Sequence, residues 1–138
     1  MEDYKIKSKY LDMYLDKRKK NKINPELDSL IYEIEKTYTP GCYFLYDSDM
    51  KLNYVGVSNN LASRSVQSYY QRKKIIKYIS FYFTNSTSDA VVFESYFICK
   101  YKPKLNIVGK YKDYLTLDLG INLPKKIYQI FLDKNKKL

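Results

Sequence analysis

Gly41-Cys42-Tyr43-Phe44-Leu45-Tyr46-Asp47-Ser48-Asp49-Met50-Lys51-Leu52-Asn53-Tyr54-Val55-Gly56-Val57 consists of two apolar runs either side of a polar turn. Gly41 to Tyr46 reads as a strand, Asp47 to Lys51 as a turn and Leu52 to Val57 as a second strand, together a β-hairpin. Tyr43 and Tyr54 then lie on paired strands, facing each other or sitting as near neighbours on one face. Gly56 either lets the backbone and a substrate approach closely beside Tyr54 or marks a strand end.

Outward from the hairpin the period changes to that of helices. Ser58 is an N-cap candidate for a helix over about 59–73. Residues 77–84 alternate, with Ile79, Phe81 and Phe83 on one side and Tyr78, Ser80 and Tyr82 on the other, which predicts a strand. After Asn85-Ser86-Thr87-Ser88 a helix is expected over about 89–101, ended by Pro103. Residues 107–123 read as irregular with at most one short strand, and a last helix is expected from Pro124, carrying Ile127, Ile130, Phe131 and Leu132. On the other side, Asn24-Pro25-Glu26 is an N-cap followed by proline at the first helical position, opening a helix striped by Leu27, Leu30, Ile31 and Ile34. Residues 4–20 fit an amphipathic helix that ends in Lys17-Arg18-Lys19-Lys20. The expected order, α-α-β-β-α-β-α-(β)-α, makes an α+β fold: a small central antiparallel sheet flanked by helices, with extra helices at both ends.

Composition narrows the chemistry. The 138 residues suit one domain, and 45% hydrophobic residues are too many for a disordered chain. No apolar run approaches the roughly 18–20 residues of a membrane span, and Met1-Glu2-Asp3 opens no signal-peptide core, so a soluble, cytoplasmic protein is expected. With no histidine, imidazole zinc sites and Ser-His-Asp triads are excluded. Acid–base work must use carboxylate, tyrosine, lysine or metal-bound water. Cys42 and Cys99 are too few for a disulfide framework and read as small buried hydrophobes. The net charge of +10 suits a polyanion, although a Lys-, Tyr-, Ile- and Asn-rich composition can also arise from genome base content.

Three residues stand out against this background. Glu94 has Ala90, Val91, Phe97 and Ile98 as its three- and four-residue neighbours, and a carboxylate in an apolar stripe needs a paired cation. A buried salt bridge to lysine and a water-rich Mg²⁺ both answer that need. Arg64 is one of three arginines among 22 lysines, as expected where a planar, always-charged fork must meet a phosphate. Asn106 follows Lys102-Pro103-Lys104-Leu105, where a plain turn residue is equally expected.

Taken in order, Gly41-Cys42-Tyr43, Tyr54-Val55-Gly56, Arg64, Glu94 and Asn106 resemble the GIY-YIG nuclease family. Gly-Cys-Tyr stands at the first motif and Tyr-Val-Gly at the second; the UvrC-type domains are the nearest match. The resemblance covers about 40–107. It implies a nuclease core there, an N-terminal helical extension over 1–39 and a C-terminal extension over 108–138. It further implies hydrolysis of phosphodiesters in DNA, RNA not being excluded, with one Mg²⁺ or Mn²⁺ held by Glu94. Tyr54, with Tyr43, would orient or deprotonate water, Arg64 would neutralise the phosphate, and Asn106 would support the loop or Glu94. Lys17, Arg18, Lys19, Arg72, Lys73, Lys77, Lys102 and Lys104 would grip nucleic acid without reading its sequence.

Two positions depart from the family pattern. One helical turn beyond the arginine, where family members carry histidine or tyrosine, stands Ser68; either a shifted register brings Tyr69 to the site or the role is missing. The UvrC-type lysine after Tyr-x-Gly is replaced by Val57, with Lys73, Lys74 and Lys77 as candidate substitutes. The alternative is therefore a catalytically weak or inactive nucleic-acid-binding module of the same fold. Short nucleases of this kind often belong to phages or mobile elements, an analogy only. Oligomeric state is not read from the sequence.

Overall fold

The computed structural model describes residues 9–17 and 24–131. Among them are four helices, α1 (Lys9–Lys17), α2 (Pro25–Lys36), α3 (Leu61–Gln71) and α4 (Thr87–Tyr101), and four strands, β1 (Gly41–Asp47), β2 (Leu52–Ser58), β3 (Ile76–Phe83) and β4 (Tyr128–Gln129). The sheet is antiparallel throughout, in the order β2-β1-β3-β4. The fold is α+β, as the hydrophobic periods predict. Arg18 and Lys19 lie outside the described residues, as does Leu132.

The hairpin turn closes on Asp47. Its Oδ1 accepts from the Asp49 and Lys51 amides at 2.9 and 3.0 Å, and its Oδ2 accepts from Asn53 Nδ2 at 2.9 Å. These donors, the Lys51 amide first, hold the carboxyl below its ordinary value. Met50 takes the left-handed conformation the turn requires (φ 63°).

Strand alternation divides the core. On one face Tyr43, Leu45, Ile79 and Phe81 pack under α1, α2 and α3. On the other, Cys42, Phe44, Tyr46 and Val55 pack under α4, where Phe44 meets Phe97 edge-to-face at 5.1 Å. Cys42 is fully buried, and its thiol is pushed up to about 12 by that burial and by the nearby Glu94 charge. It is a small core hydrophobe.

The helix ends largely match their signals. Asn24 Oδ1 caps α2 through the Glu26 amide (3.0 Å), and Ser86 Oγ caps α4 through the Asp89 amide (3.0 Å). Lys102 ends α4 in the left-handed region just before Pro103, its N–H donating to Ile98 O at 2.8 Å. Two expectations fail. Ser58 belongs to β2 and its hydroxyl accepts from the Asn60 amide; the cap position is Asn60 itself. Residues 124–131 form no helix: Tyr128 and Gln129 pair with Ile79 and Tyr78 as β4, and Ile130 N–H donates to Lys77 O. The unpaired edge of β3 offers backbone groups that outcompete a short helix with one buried face.

Candidate active site

Tyr43 lies on β1 opposite Gly56 of β2. Its ring crosses the space a side chain at 56 would need: a Cβ there would come within 2.2 Å of Tyr43 Cζ and 2.3 Å of Oη. Gly56 is thus required by its cross-strand partner. The phenol ends 2.6 Å from Ser68 Oγ on α3. Ser68 is the partner of the buried tyrosine, and the position is used although neither histidine nor tyrosine stands there. Tyr43 is 2% exposed, and burial raises its phenol well above the ordinary range, against the smaller opposing effects of Ser68, Arg72 and Arg64. It is held neutral.

Tyr54 lies on the same face of the hairpin, diagonal to Tyr43, with ring centroids 6.1 Å apart. Sequence reasoning left open whether the two face each other; the register makes them neighbours, since Tyr54 opposes Leu45. Tyr54 is half-buried and lines a cleft of about 520 Å³ with Arg72, Glu94 and Asn106. The Arg72 guanidinium lies 3.9 Å from the centre of the Tyr54 ring, and its Nη1 donates to Ser68 O at 3.3 Å. Arg72 was expected only to grip phosphate; its place in the cleft was missed. The signal was present: Arg64, Ser68 and Arg72 recur every four residues along one side of α3. Arg64 is exposed on that helix, outside the cleft lining.

Glu94 comes from α4, across the cleft. Desolvation raises its carboxyl above the ordinary value, and no lysine or arginine forms an ion pair with it among the described residues. The salt-bridge answer to its burial therefore has no partner here. A lone half-buried carboxylate on an open cleft suits a hydrated divalent cation, which takes one or two carboxylates and keeps its waters. No cluster of three or more Cys, Asp or Glu stands among the described residues, so any protein-only cage is lacking there.

Of the two supports expected of Asn106, the loop or Glu94, its hydrogen bonds serve the loop. Its Oδ1 accepts from Val55 N (2.9 Å) and its Nδ2 donates to Val55 O (3.0 Å), while Leu105 N donates to Asn53 O at 2.8 Å. The segment after α4 thereby closes the free edge of β2 on both sides of Tyr54.

Several expected residues lie elsewhere. Tyr69 does not rotate into the cleft: one residue past Ser68 turns it about 100° around the helix, where it packs on Tyr70 (5.2 Å) and Phe131 (5.8 Å). Burial pushes its phenol up to about 12. Lys77 stands on β3 and, with Tyr69 and Phe131, lines a separate hollow that Glu94 does not line. Lys73 and Lys74 are exposed along a neighbouring groove that shares Arg72 and Leu105 with the cleft. Lys102 and Lys104 flank the chain leaving α4, and Lys17 closes α1.

A family model described as the UvrC-like GIY-YIG domain matches residues 39–107. The chain is 39% identical over 97 residues to the UvrABC system protein C of Borrelia duttonii (strain Ly), covering 63% of this chain and 16% of that protein. It is 38% identical over 78 residues to the protein of the same name from Methanospirillum hungatei JF-1 (49% and 15% covered). Against that of Symbiobacterium thermophilum it is 33% identical over 102 residues (64% and 16% covered). The chain thus spans about a sixth of the length of these relatives.

Proposed function

Since the chain belongs to the UvrC-like GIY-YIG domain family, a family of endonucleases, we propose that it is a metal-dependent endonuclease whose cleft hydrolyses phosphodiester bonds in DNA. The observation that carries the proposal is the meeting of Tyr54, Arg72 and Glu94, from three different parts of the fold, in one open cleft, with no lysine or arginine paired to Glu94 among the described residues.

Glu94 would hold the Mg²⁺ or Mn²⁺ by a carboxylate oxygen, the waters and phosphate oxygens completing its shell. When bound, such an ion polarises the phosphoryl group and offsets its charge. The chain's own residues do the rest. Tyr54 orients the attacking water with its phenolic oxygen, its ring fixed by Arg72 on one face and its strand fixed by Asn106. Tyr43, buried and neutral, is the packed support for that ring. As the water oxygen bonds to phosphorus, the ester P–O bond breaks and the departing oxygen gains a proton in place of the one the water gives up; the negative charge that gathers on the non-bridging oxygens is opposed by Arg72 in the cleft and by Arg64, exposed on α3. Exposed lysines at 73, 74 and 104, with the half-buried Lys102, add sequence-independent attraction.

A binding module without catalysis is the second reading, favoured by Ser68, whose hydroxyl is occupied by Tyr43 and leaves no titratable group there. Single-turnover cleavage by the Tyr54→Phe and Arg64→Ala proteins, with DNA affinity measured in EDTA, separates the two. The nuclease reading expects rates to fall tenfold or more while affinity changes less. An unmutated protein that binds DNA in Mg²⁺ and Mn²⁺ yet leaves every substrate intact would establish the binding module.

A further inference from the structure

Part of the cleft lining is of no use to a phosphate. Besides Tyr54, Arg72, Glu94 and Asn106, the lining includes Ile98, Leu105, Ile107, Val108 and Tyr111. Ile107 is 92% exposed, Val108 82% and Tyr111 66%. This lip is anchored rather than loose. Gly109 (φ 90°) lies against Ile98, where a Cβ would come 3.1 Å from that side chain. Cys99 Sγ donates to Gly109 O at 3.5 Å, and the Lys102 ammonium donates to Tyr111 O. The backbone is tied to the end of α4 while the apolar side chains stand out. Lys102, Lys104, Lys110 and Lys112 lie along the same stretch of chain and border these apolar residues in sequence.

We propose that this lip is a nucleobase subsite: Tyr111, with Ile107 and Val108, stacks on an unpaired base next to the phosphate held over Glu94, so the substrate is single-stranded or locally unpaired DNA. The inference rests on the nuclease reading for its phosphate, and adds the substrate class. In a duplex the base faces are covered by their neighbours, and only sugar, phosphate and groove edges reach a surface wall. An unpaired base offers a π-face that an aromatic ring takes whatever its sequence, while the lysine border meets the phosphates either side. A cleft of about 520 Å³ is within the size range of small-molecule pockets and has room for a base beside the phosphate.

The test measures binding of the intact chain, in EDTA, to one oligonucleotide as single strand and as full duplex, each carrying 2-aminopurine at scanned positions. The expected result is at least tenfold tighter binding to the single strand, with fluorescence change at one base. Tyr111→Ala should reduce single-strand affinity roughly tenfold (about 1.4 kcal/mol, within the worth of one stack) and duplex affinity less than twofold. Tyr111→Phe should keep the preference, as should Tyr114→Ala, a change at an 86% exposed ring outside the cleft lining. Equal affinity for the two DNAs, or a preference untouched by Tyr111→Ala, would overturn the subsite. A dimer in sedimentation that Tyr111→Ala dissolves, with the preference unmoved, would assign the lip to a second copy and overturn it likewise. Absence of cleavage with the preference intact would sink only the nuclease reading.

Discussion

Gly56 is explained by its neighbour. An alanine there would ordinarily help a strand, yet its methyl would overlap the Tyr43 ring. Gly56→Ala should cost about 1–3 kcal/mol in urea unfolding. In a Tyr43→Leu background the same change should cost almost nothing, because the overlapping ring has gone. Glu94 gives a second test at this scale. Burial raises its folded pKa, so its contribution to stability is fully present below the ordinary carboxylate value and is lost as pH rises through the raised one. Without divalent metal, Glu94→Gln should therefore raise the melting temperature at pH 7 and leave it unchanged near pH 3. Mn²⁺ should raise the melting temperature of the unmutated chain but not of the variant. Both residues could be singled out from the sequence, Glu94 by its apolar neighbours and Gly56 by its motif. Why Gly56 must be glycine could not: only the cross-strand register puts Tyr43 over it.

At the scale of elements, two pieces outside the hairpin position Tyr54: the last residue of the 102–106 turn, and the C-terminal end of α3. Asn106→Ala would leave the buried N–H and C=O of Val55 without partners, at a cost of about 2–4 kcal/mol measured by chemical unfolding. Arg72→Ala should slow cleavage roughly tenfold to a hundredfold, and Arg72→Lys should recover DNA affinity better than rate, because a lysine keeps the charge without the flat guanidinium on Tyr54. Lys77→Ala, on β3 beside a different hollow, should change the rate less than twofold. The helices and the first three strands were legible from periodicity and caps, since each buries a face or face pair that its own sequence displays. The segment from Pro124 was not. Ile127, Ile130 and Phe131 fit helical spacing, but an open edge on β3, visible only in three dimensions, captures Tyr128 and Gln129. The same limit hid Arg72, whose place in the cleft follows from where α3 ends against β2.

Across the whole molecule, the chain carries a formal charge of +10, and the cleft is built at the β2 edge where α3, α4 and the lip converge. DNA affinity should therefore fall steeply with salt, by tenfold or more between 50 and 200 mM, in a linear plot of log affinity against log salt. A shallow slope would place the charge away from the DNA. Among the described residues no helix is long and apolar enough to cross a membrane. The α+β class could be read from the order of periods; the cleft's mixed lining, charged at Arg72 and Glu94 and apolar at Ile98, Leu105, Ile107 and Val108, could not, because residues 105–111 approach Tyr54 only after the chain folds back past α4. The most direct test of the central claim is single-turnover incubation of end-labelled single-stranded and duplex DNA with the intact chain and its Glu94→Gln variant, in Mg²⁺ and in EDTA. The account predicts strand cleavage in Mg²⁺ by the unmutated chain, none in EDTA, and at least a hundredfold slower cleavage by the variant. Cleavage that survives EDTA, or that Glu94→Gln leaves at full rate, would contradict it.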